Sequence, residues 1–243
     1  MTIKPILFNK QISTEMVRAI LDGRKTRTRR ILKHDVESIL NSPCHKKHPE
    51  VEDRQIISKL CQPPYQPGDT LYVRETWQCW RAHRYEATAD IRFRAGGDDV
   101  RLQFANGNTD SIDRLDYDTF VHKWFSHNGE WKPSLFMPKE AARIWLKVTG
   151  VRMKRLQEMK PVDVIKEGAY PDCWDCLNTY GESGSQCCYG TEEECSQCDE
   201  VMMEWEKLWN STIKKSDLDR YGWNANPYVW VIEFERCEKP KGV

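Results

Sequence analysis

Hydrophobic and polar residues alternate with a period of two in several parts of the chain, and this alternation predicts β-strands. The clearest strand segments are residues 5–8, 70–77, 142–153 and 228–235. Residues 84–95 alternate more weakly, which predicts one arm of a hairpin. Residues 25–32 alternate threonine with basic residues, which predicts a strand or an extended loop with a basic face.

Apolar residues at helical spacing predict three helices. Residues 13–22 and 201–209 each carry an apolar stripe along one face, and Gly23 follows the first where a helix-ending glycine belongs. Residues 161–167 form a shorter helix that stops at Gly168. Each stripe is expected to pack on the core of the protein.

Short strands, a few helices and long connections are typical of an α+β protein. Residues 34–66 and 96–128 show little periodicity, so we expect them to be excursions from the core. Both ends of the chain supply strands, which predicts that the chain closes on itself. We therefore expect one domain over residues 1–243, built as a small β-barrel with peripheral helices.

Composition favours a globular protein and excludes several other classes. Of the 243 residues, 39% are hydrophobic and 30% are charged, and the mean hydropathy is −0.74. No stretch approaches the roughly 18 apolar residues of a membrane span. The first ten residues lack the apolar core of a signal peptide. We therefore expect a protein of the cytoplasm that has no membrane partner.

The net charge is zero, but the two signs of charge are segregated along the chain. Residues 18–33 contain seven Lys or Arg and a single acid, whereas residues 172–206 contain ten Asp or Glu and no Lys or Arg. A basic segment favours binding of phosphates, because it releases their counterions. The acidic segment would repel phosphates and is a candidate surface for a protein partner.

Six of the ten cysteines fall within the 26 residues from 173 to 198, inside an apparent insertion over residues 170–200. Two C-x-x-C pairs separated by 18 residues have the spacing of a zinc ribbon. The predicted ligands of one structural zinc are Cys173, Cys176, Cys195 and Cys198. Four thiolates leave no open position for catalysis. Cys187 and Cys188 lie between the pairs and leave an alternative ligand set open; free thiols and redox pairs are the other interpretations.

Residues 23–30, in which a helix ends at glycine and lysine follows after one arginine, resemble the signature of the ASCH domain, a member of the PUA-like superfamily. The resemblance is strongest to ASCH proteins of phages and prophages. Further matching segments are residues 6–9, 16–30, 68–77, 131–134, 137–138, 142–144 and 226–234. The resemblance implies a PUA-like β-barrel with a cleft beside the helix–lysine turn, and binding of RNA or a modified nucleotide.

Some bacterial ASCH proteins hydrolyse acetylated cytidine with a lysine, a threonine three residues later and a glutamate on a later strand. By resemblance, the first two correspond here to Lys25 and Thr28, whereas the glutamate corresponds to Lys147. A hydrolase built on this chain would need a carboxylate from elsewhere, and Glu75 is the candidate. The departure at residue 147 favours a binding protein over a hydrolase.

Candidate contacts to nucleic acid lie in the basic run and after the turn at residues 67–69. In a regular strand the odd-numbered residues from Lys25 to Arg29 share one face, and Arg30 points away. Trp77 offers an indole for base stacking beside Glu75, although a core position for Trp77 and an internal ion pair for Glu75 are equally consistent with the pattern. The complete predicted set is Arg24, Lys25, Arg27, Arg29, Arg30, Arg74, Trp77 and Lys132.

Three functions from different classes follow from these features. The first is binding of nucleic acid, RNA rather than DNA, or of a modified nucleotide by a phage or prophage protein in the cytoplasm of its bacterial host. The second is a small hydrolase that acts on a modified nucleoside or on RNA. The third is an interaction protein of phage development that docks through its acidic zinc segment.

Overall fold

The computed structural model of this protein describes residues 2–8, 12–34, 36–47, 51–104, 116–125, 128–169 and 196–240. The chain divides into two compact units. Unit 1 contains Met1–Gly23, Asp69–Lys147 and Glu235–Val243, and unit 2 contains Arg24–Gly68 and Val148–Phe234. The single domain expected over residues 1–243 stays a prediction.

Strands and short helices account for most of the described residues. The strands are β1 (Ile3–Ile6), β2 (Arg27–Ile31), β3 (Thr70–Val73), β4 (Trp77–His83), β5 (Thr88–Phe93), β6 (Val100–Gln103), β7 (Trp145–Arg155) and β8 (Tyr228–Cys237). The α-helices are α1 (Ser13–Leu21), α2 (Val36–Leu40), α3 (Pro43–Lys47), α4 (Asp53–Leu60), α5 (Tyr117–Trp124), α6 (Pro161–Lys166), α7 (Ser196–Thr212) and α8 (Leu218–Tyr221). No helix in these ranges is both long enough and apolar enough to cross a bilayer.

Unit 1 contains a small antiparallel sheet with the strand order β4-β5-β6. On the inner face of this sheet, Trp77 is fully buried and packs against Phe120 and Trp124 of α5. In the same unit β1 runs parallel to β3, and β3 runs antiparallel to the first residues of β7. The predicted hairpin arm is β5, whereas β6 and α5 lie in a segment predicted to be a surface excursion.

Unit 2 contains the antiparallel pair of β2 and β8, together with α6 packed against α7. Its core includes Leu156, Trp205, Trp209, Val229 and Val231. The core positions predicted for Trp205 and Trp209 from helical spacing are confirmed. The segment over residues 34–66, predicted to be an excursion from the core, contains the three helices α2, α3 and α4.

Two glycines have the backbone conformations that the sequence predicts. Gly23 follows α1 with φ of +77°, and Gly68 has φ of +89° in the turn that precedes β3. Both values lie in the left-handed region, where a Cβ atom is unfavourable and glycine is the preferred residue. Gly23 therefore allows the chain to turn at the end of α1, and Gly68 allows the turn that leads into β3.

The predicted barrel is wrong for the described residues. The larger sheet has the hydrogen-bonding order β1-β3-β7-β8-β2, and each of the two sheets is open with two edge strands. The α+β class is confirmed. Alternation along a strand shows which side chains are buried, but it does not determine which strands pair. Closure of a sheet therefore could not be read from the pattern.

Candidate nucleic-acid interface

The predicted basic strand is present in unit 2 as β2, which pairs with β8. Lys25 precedes the strand, and Arg27 and Arg29 alternate along it. All three side chains contact carboxylates at α6: Asp163 within the helix and Glu167 just after it. As alternation predicts, the three cations lie on one side of the segment. We call these five residues the β2 ion-pair network.

Lys25 is the most enclosed cation of the β2 ion-pair network. It is 3% exposed. Its Nζ donates to the Arg27 carbonyl oxygen at 2.9 Å, the Glu167 carbonyl oxygen at 2.8 Å and Glu167 Oε2 at 3.0 Å. Burial lowers the pKa of Lys25, and the nearby Glu167 carboxylate opposes that shift. An ammonium group has three N–H donors, so each of them has an acceptor.

The two arginines of the network bridge both carboxylates. Arg29 is 6% exposed, and it donates from NH1 to Glu167 Oε1 at 2.8 Å and from NH2 to Asp163 Oδ2 at 3.3 Å. Arg27 donates to Asp163 Oδ1, and its NH2 lies 3.0 Å from Glu233 Oε1. These contacts compensate charges that would otherwise be costly to bury. Phosphate would have to displace carboxylates to reach Lys25, Arg27 or Arg29.

The remaining residues of the basic run differ in exposure. Arg24 and Arg30 are partly buried, and Thr28 is buried. Burial lowers the pKa of Arg30, and the nearby Tyr65 hydroxyl acts in the opposite direction. Contacts from these residues to nucleic acid stay a prediction.

The candidates predicted after the turn lie in unit 1, in or beside its core. Glu75 is 1% exposed, and its two carboxylate oxygens accept from Arg143 Nε at 3.0 Å and from Arg143 NH2 at 2.8 Å. Burial raises the pKa of Glu75, and the hydrogen bonds from Arg143 oppose this shift. Trp77 has no exposed surface, so a base could stack on it only if the core opened.

The two other predicted cations of unit 1 are nearer the surface. Arg74 is partly buried and donates to the Leu135 carbonyl oxygen at 2.9 Å and to the Tyr72 hydroxyl at 3.2 Å. Lys132 is also partly buried and donates to Glu130 Oε2 at 2.9 Å. Both can reach solvent, but each already has a hydrogen-bond partner.

The outer face of the sheet β4-β5-β6 presents an aromatic and cationic group that the sequence analysis missed. The pairing of β4 with β5 shifts register between Cys79 and Arg81, which places Trp80 at an irregularity. The guanidinium carbons of Arg81 and Arg92 lie 4.0 Å and 4.1 Å from the centroid of the Trp80 ring. Bulges commonly re-aim side chains in this way. We call Trp80, Arg81 and Arg92 the Trp80 cluster.

Both arginines of the Trp80 cluster are exposed. Arg81 forms no ion pair with a carboxylate among the described residues, and Arg92 has only a long contact of 3.8 Å to Asp99. Two features of the sequence could have indicated this cluster. Arg81 directly follows Trp80, and a second arginine, Arg92, lies on the next alternating segment. Their convergence depends on the pairing of β4 with β5, which local periodicity does not reveal.

A second ion-pair group lies on the same outer face, because Asp90 is the cross-strand partner of both Arg81 and Arg101. Asp90 accepts from Arg101 Nε at 2.7 Å, and its other oxygen lies 3.0 Å from His83 Nε2. Hydrogen bonds from Arg101 lower the pKa of Asp90. Asp90 thereby offsets part of the positive charge of this face and holds Arg101 across the strands.

The predicted zinc site falls almost entirely outside the described residues. Cys173, Cys176 and Cys195 are not among them, and Cys198 lies in α7, where its side chain is not described. Within the described ranges no group of three or more His, Cys, Asp or Glu side chains is arranged to hold a metal ion. This has no bearing on the four cysteines, so the zinc site stays a prediction.

Comparison with known proteins gives one structural likeness and no relative in sequence. No family model matches the chain, and the search of curated proteins found no match. Among solved structures, the chain is similar to the ASCH domain from Lactobacillus crispatus JV V101, with 8% sequence identity and a TM-score of 0.34 over 97% of this chain and 79% of that one. A likeness of this size shows neither the family nor the function of the chain.

Proposed function

We propose that this chain binds single-stranded nucleic acid on the outer face of the sheet β4-β5-β6. The observation that carries the proposal is the Trp80 cluster, in which two exposed guanidinium groups lie against one indole on an open sheet. Guanidinium groups bind phosphates and also stack on bases, and aromatic rings add stacking that tolerates any sequence. The exposed face of an open sheet suits an extended strand rather than a duplex.

The preference for RNA over DNA rests on the resemblance of residues 23–30 to the ASCH signature. We include in the proposal that the chain is an ASCH-type protein of phage or prophage origin, which acts in the cytoplasm of a bacterial host. Arg74 and Lys132, which lie in the same unit, would add phosphate contacts, and phosphate contacts of Arg24 and Arg30 in unit 2 are proposed separately. Lys25, Arg27 and Arg29 of the β2 ion-pair network could contact phosphate only if phosphate replaced the carboxylates that they now bind.

A hydrolase centred on Lys25 is less well supported by the geometry. A nucleophilic or basic lysine needs an unprotonated amine that can reach its substrate. Although burial lowers the pKa of Lys25, its Nζ is enclosed and directed to three acceptors. Both oxygens of Glu75 accept hydrogen bonds from Arg143. These contacts favour structural roles for Lys25 and Glu75.

Binding through the Trp80 cluster predicts separable effects of its charge and its ring. Replacing Arg92 by alanine should weaken binding of single-stranded RNA and flatten the log–log salt dependence by about 0.7, the value of one phosphate contact on a single strand. Replacing Trp80 by alanine should weaken binding by about tenfold with the slope unchanged, because stacking releases no phosphate counterion. Fluorescence titration of RNA and DNA oligomers at several salt concentrations measures both quantities.

The matched control is Arg236→Ala, which removes an exposed arginine from β8, a strand of the other sheet. This variant should bind like the wild type. Trp80→Phe keeps an aromatic ring and should retain most of the affinity. Equal slopes for Arg92→Ala and Arg236→Ala would contradict the proposed surface, and failure of the wild type to bind either oligomer at low salt would reject nucleic-acid binding altogether.

The zinc site is a separate proposal, carried by the spacing of its cysteines alone. Purified protein should contain one zinc per chain, bound by thiolates at about 2.3 Å. Cys198→Ser should lose the metal, and Cys237→Ser, which changes a free and partly exposed thiol, should retain it. Elemental analysis with thiol titration tests this: absence of zinc together with reactive thiols at all four positions rejects the site. A site that survives Cys198→Ser would indicate ligands from Cys187 or Cys188.

A further inference from the structure

Unit 2 contains a cleft that none of the functions considered so far uses. Its volume is about 590 Å³, which lies within the range of small-molecule sites. The cleft is formed where β2 and β7 end and where β8 begins, and α8 closes one side. Its lining includes His34, Arg155, Asp219, Arg220, Tyr221 and Tyr228.

The floor of the cleft is held in place by the loop before β8. Asn226 has φ of +46°, an uncommon value for a residue other than glycine. Its side-chain oxygen accepts from the Gln157 backbone N–H at 2.9 Å, and its carbonyl oxygen accepts from Arg155 NH1 at 3.1 Å. Gln157 also donates from its side chain to the Trp223 carbonyl oxygen at 2.9 Å. These bonds organise the cleft before any ligand binds.

Two arginines of the cleft differ from three other arginines of unit 2. Arg27, Arg29 and Arg152 all pair with carboxylates, whereas Arg155 and Arg220 have no carboxylate within 4.0 Å among the described residues. Arg155 gives one hydrogen bond to a carbonyl oxygen. Guanidinium groups that line a concave surface without an anionic partner are suited to bind one.

The same two arginines lie against aromatic rings. The guanidinium carbon of Arg155 is 3.7 Å from the centroid of the Tyr228 ring, and that of Arg220 is 5.3 Å from the Tyr221 ring. Leu32 and Val36 add apolar surface, and His34 is exposed at the margin. Among the described lining residues Asp219 is the one carboxylate, beside the two guanidinium groups of Arg155 and Arg220, so these side chains together are net positive. The cleft therefore combines an anion site with surfaces for a planar ring.

We propose that this cleft binds a nucleoside monophosphate, either free or at the phosphorylated end of a nucleic acid. The phosphate would contact Arg220 and His34, and the base would lie against Tyr221 and the guanidinium plane of Arg155. The size of the cleft fits one nucleotide rather than an extended strand. This inference does not depend on the Trp80 cluster, which lies in unit 1.

The proposal is tested by calorimetric titration with the four ribonucleoside 5′-monophosphates and with fragments of them. Adenosine, which lacks the phosphate, and ribose 5-phosphate, which lacks the base, should each bind at least about tenfold more weakly than adenosine monophosphate. Arg220→Ala should weaken binding by about tenfold or more, the effect of losing one charge-assisted contact. Tyr221→Leu should weaken binding of the nucleotide while leaving binding of ribose 5-phosphate unchanged.

The matched control is Lys215→Ala, which removes an exposed cation of unit 2 that does not line the cleft. It should bind like the wild type, and thermal unfolding should show that all three variants remain folded. Equal affinity for adenosine monophosphate and inorganic phosphate would overturn the nucleotide assignment. Equal affinity of Arg220→Ala and Lys215→Ala, or no binding of any monophosphate at millimolar concentration, would overturn the site.

Oligonucleotides with a 5′-phosphate or a 5′-hydroxyl separate the two sources of the ligand. If only the phosphorylated oligomer competes with adenosine monophosphate, the cleft binds the phosphorylated end of a nucleic acid. If neither oligomer competes, the cleft binds a free nucleotide. Arg92→Ala should leave mononucleotide binding unchanged. Failure of the Trp80 surface and failure of the cleft are therefore distinguishable.

Discussion

Replacement of Glu167 by alanine is expected to destabilise the protein by about 3–5 kcal/mol, the range measured when one partner of a buried ion pair is removed. Glu167 is 3% exposed and pairs with both Lys25 and Arg29, which are themselves buried. The variant would remove the carboxylate that Lys25 and Arg29 share and leave Asp163 paired with Arg27 and Arg29. Urea unfolding of the wild type and the variant measures the difference.

Two further variants make the test of Glu167 decisive. Glu167→Gln keeps the shape of the side chain and one acceptor, so it should lose less stability than Glu167→Ala and remain folded where the alanine variant does not. Glu204→Ala removes a carboxylate from an exposed pair with Lys207 on α7, and it should change stability little. If Glu167→Ala unfolds at the same urea concentration as Glu204→Ala, the β2 ion-pair network contributes little to stability.

The β2 ion-pair network shows what the sequence could and could not reveal. Alternation in residues 25–32 predicted a basic strand face, and residues 161–167 were predicted as a helix. Each was correct locally, but Lys25 and Glu167 are separated by 142 positions. Acids at positions 163 and 167 of a short helix are typical of a solvent-facing side. Only the pairing of distant elements shows that these acids enclose the basic face.

For the fold as well, the sequence predicted local elements better than contacts between residues that are distant in the chain. The bounds of α1 and α6 were close to those predicted, and β5 lies within the longer segment predicted as a hairpin arm, because helical spacing, alternation and glycine positions are local signals. Helix α5 was missed, although Asp116 accepts from the Thr119 backbone N–H at its start, a capping contact that the sequence could have indicated. The sheet orders and the convergence of Trp80 with Arg92 depend on strand pairing, which periodicity leaves undetermined.

Replacement of Arg143 by methionine is expected to destabilise the protein by about 3–5 kcal/mol near neutral pH, because it leaves the carboxylate of Glu75 buried without its partner. Both oxygens of Glu75 accept from Arg143. Met keeps much of the apolar volume of the arginine stem, but the variant also removes the hydrogen bond from Arg143 NH1 to the Asp98 carbonyl oxygen and the contact of the guanidinium with the Phe93 ring. Unfolding in urea at several pH values measures the loss.

The pH dependence of this loss has a definite sign. Burial raises the pKa of Glu75 in the folded protein, and Arg143 holds that pKa down, so Arg143→Met should raise it further. A group with a raised folded pKa contributes stability that is present below its unfolded pKa and is lost as the pH rises through its folded pKa. The deficit of Arg143→Met should therefore be largest above the folded pKa of Glu75 in the variant and shrink as the pH falls towards the unfolded pKa of Glu75. Adding Glu75→Gln to Arg143→Met should remove this pH dependence and recover stability at high pH. A deficit that is constant with pH, and unchanged by Glu75→Gln, would show that lost packing rather than the buried carboxylate causes the effect.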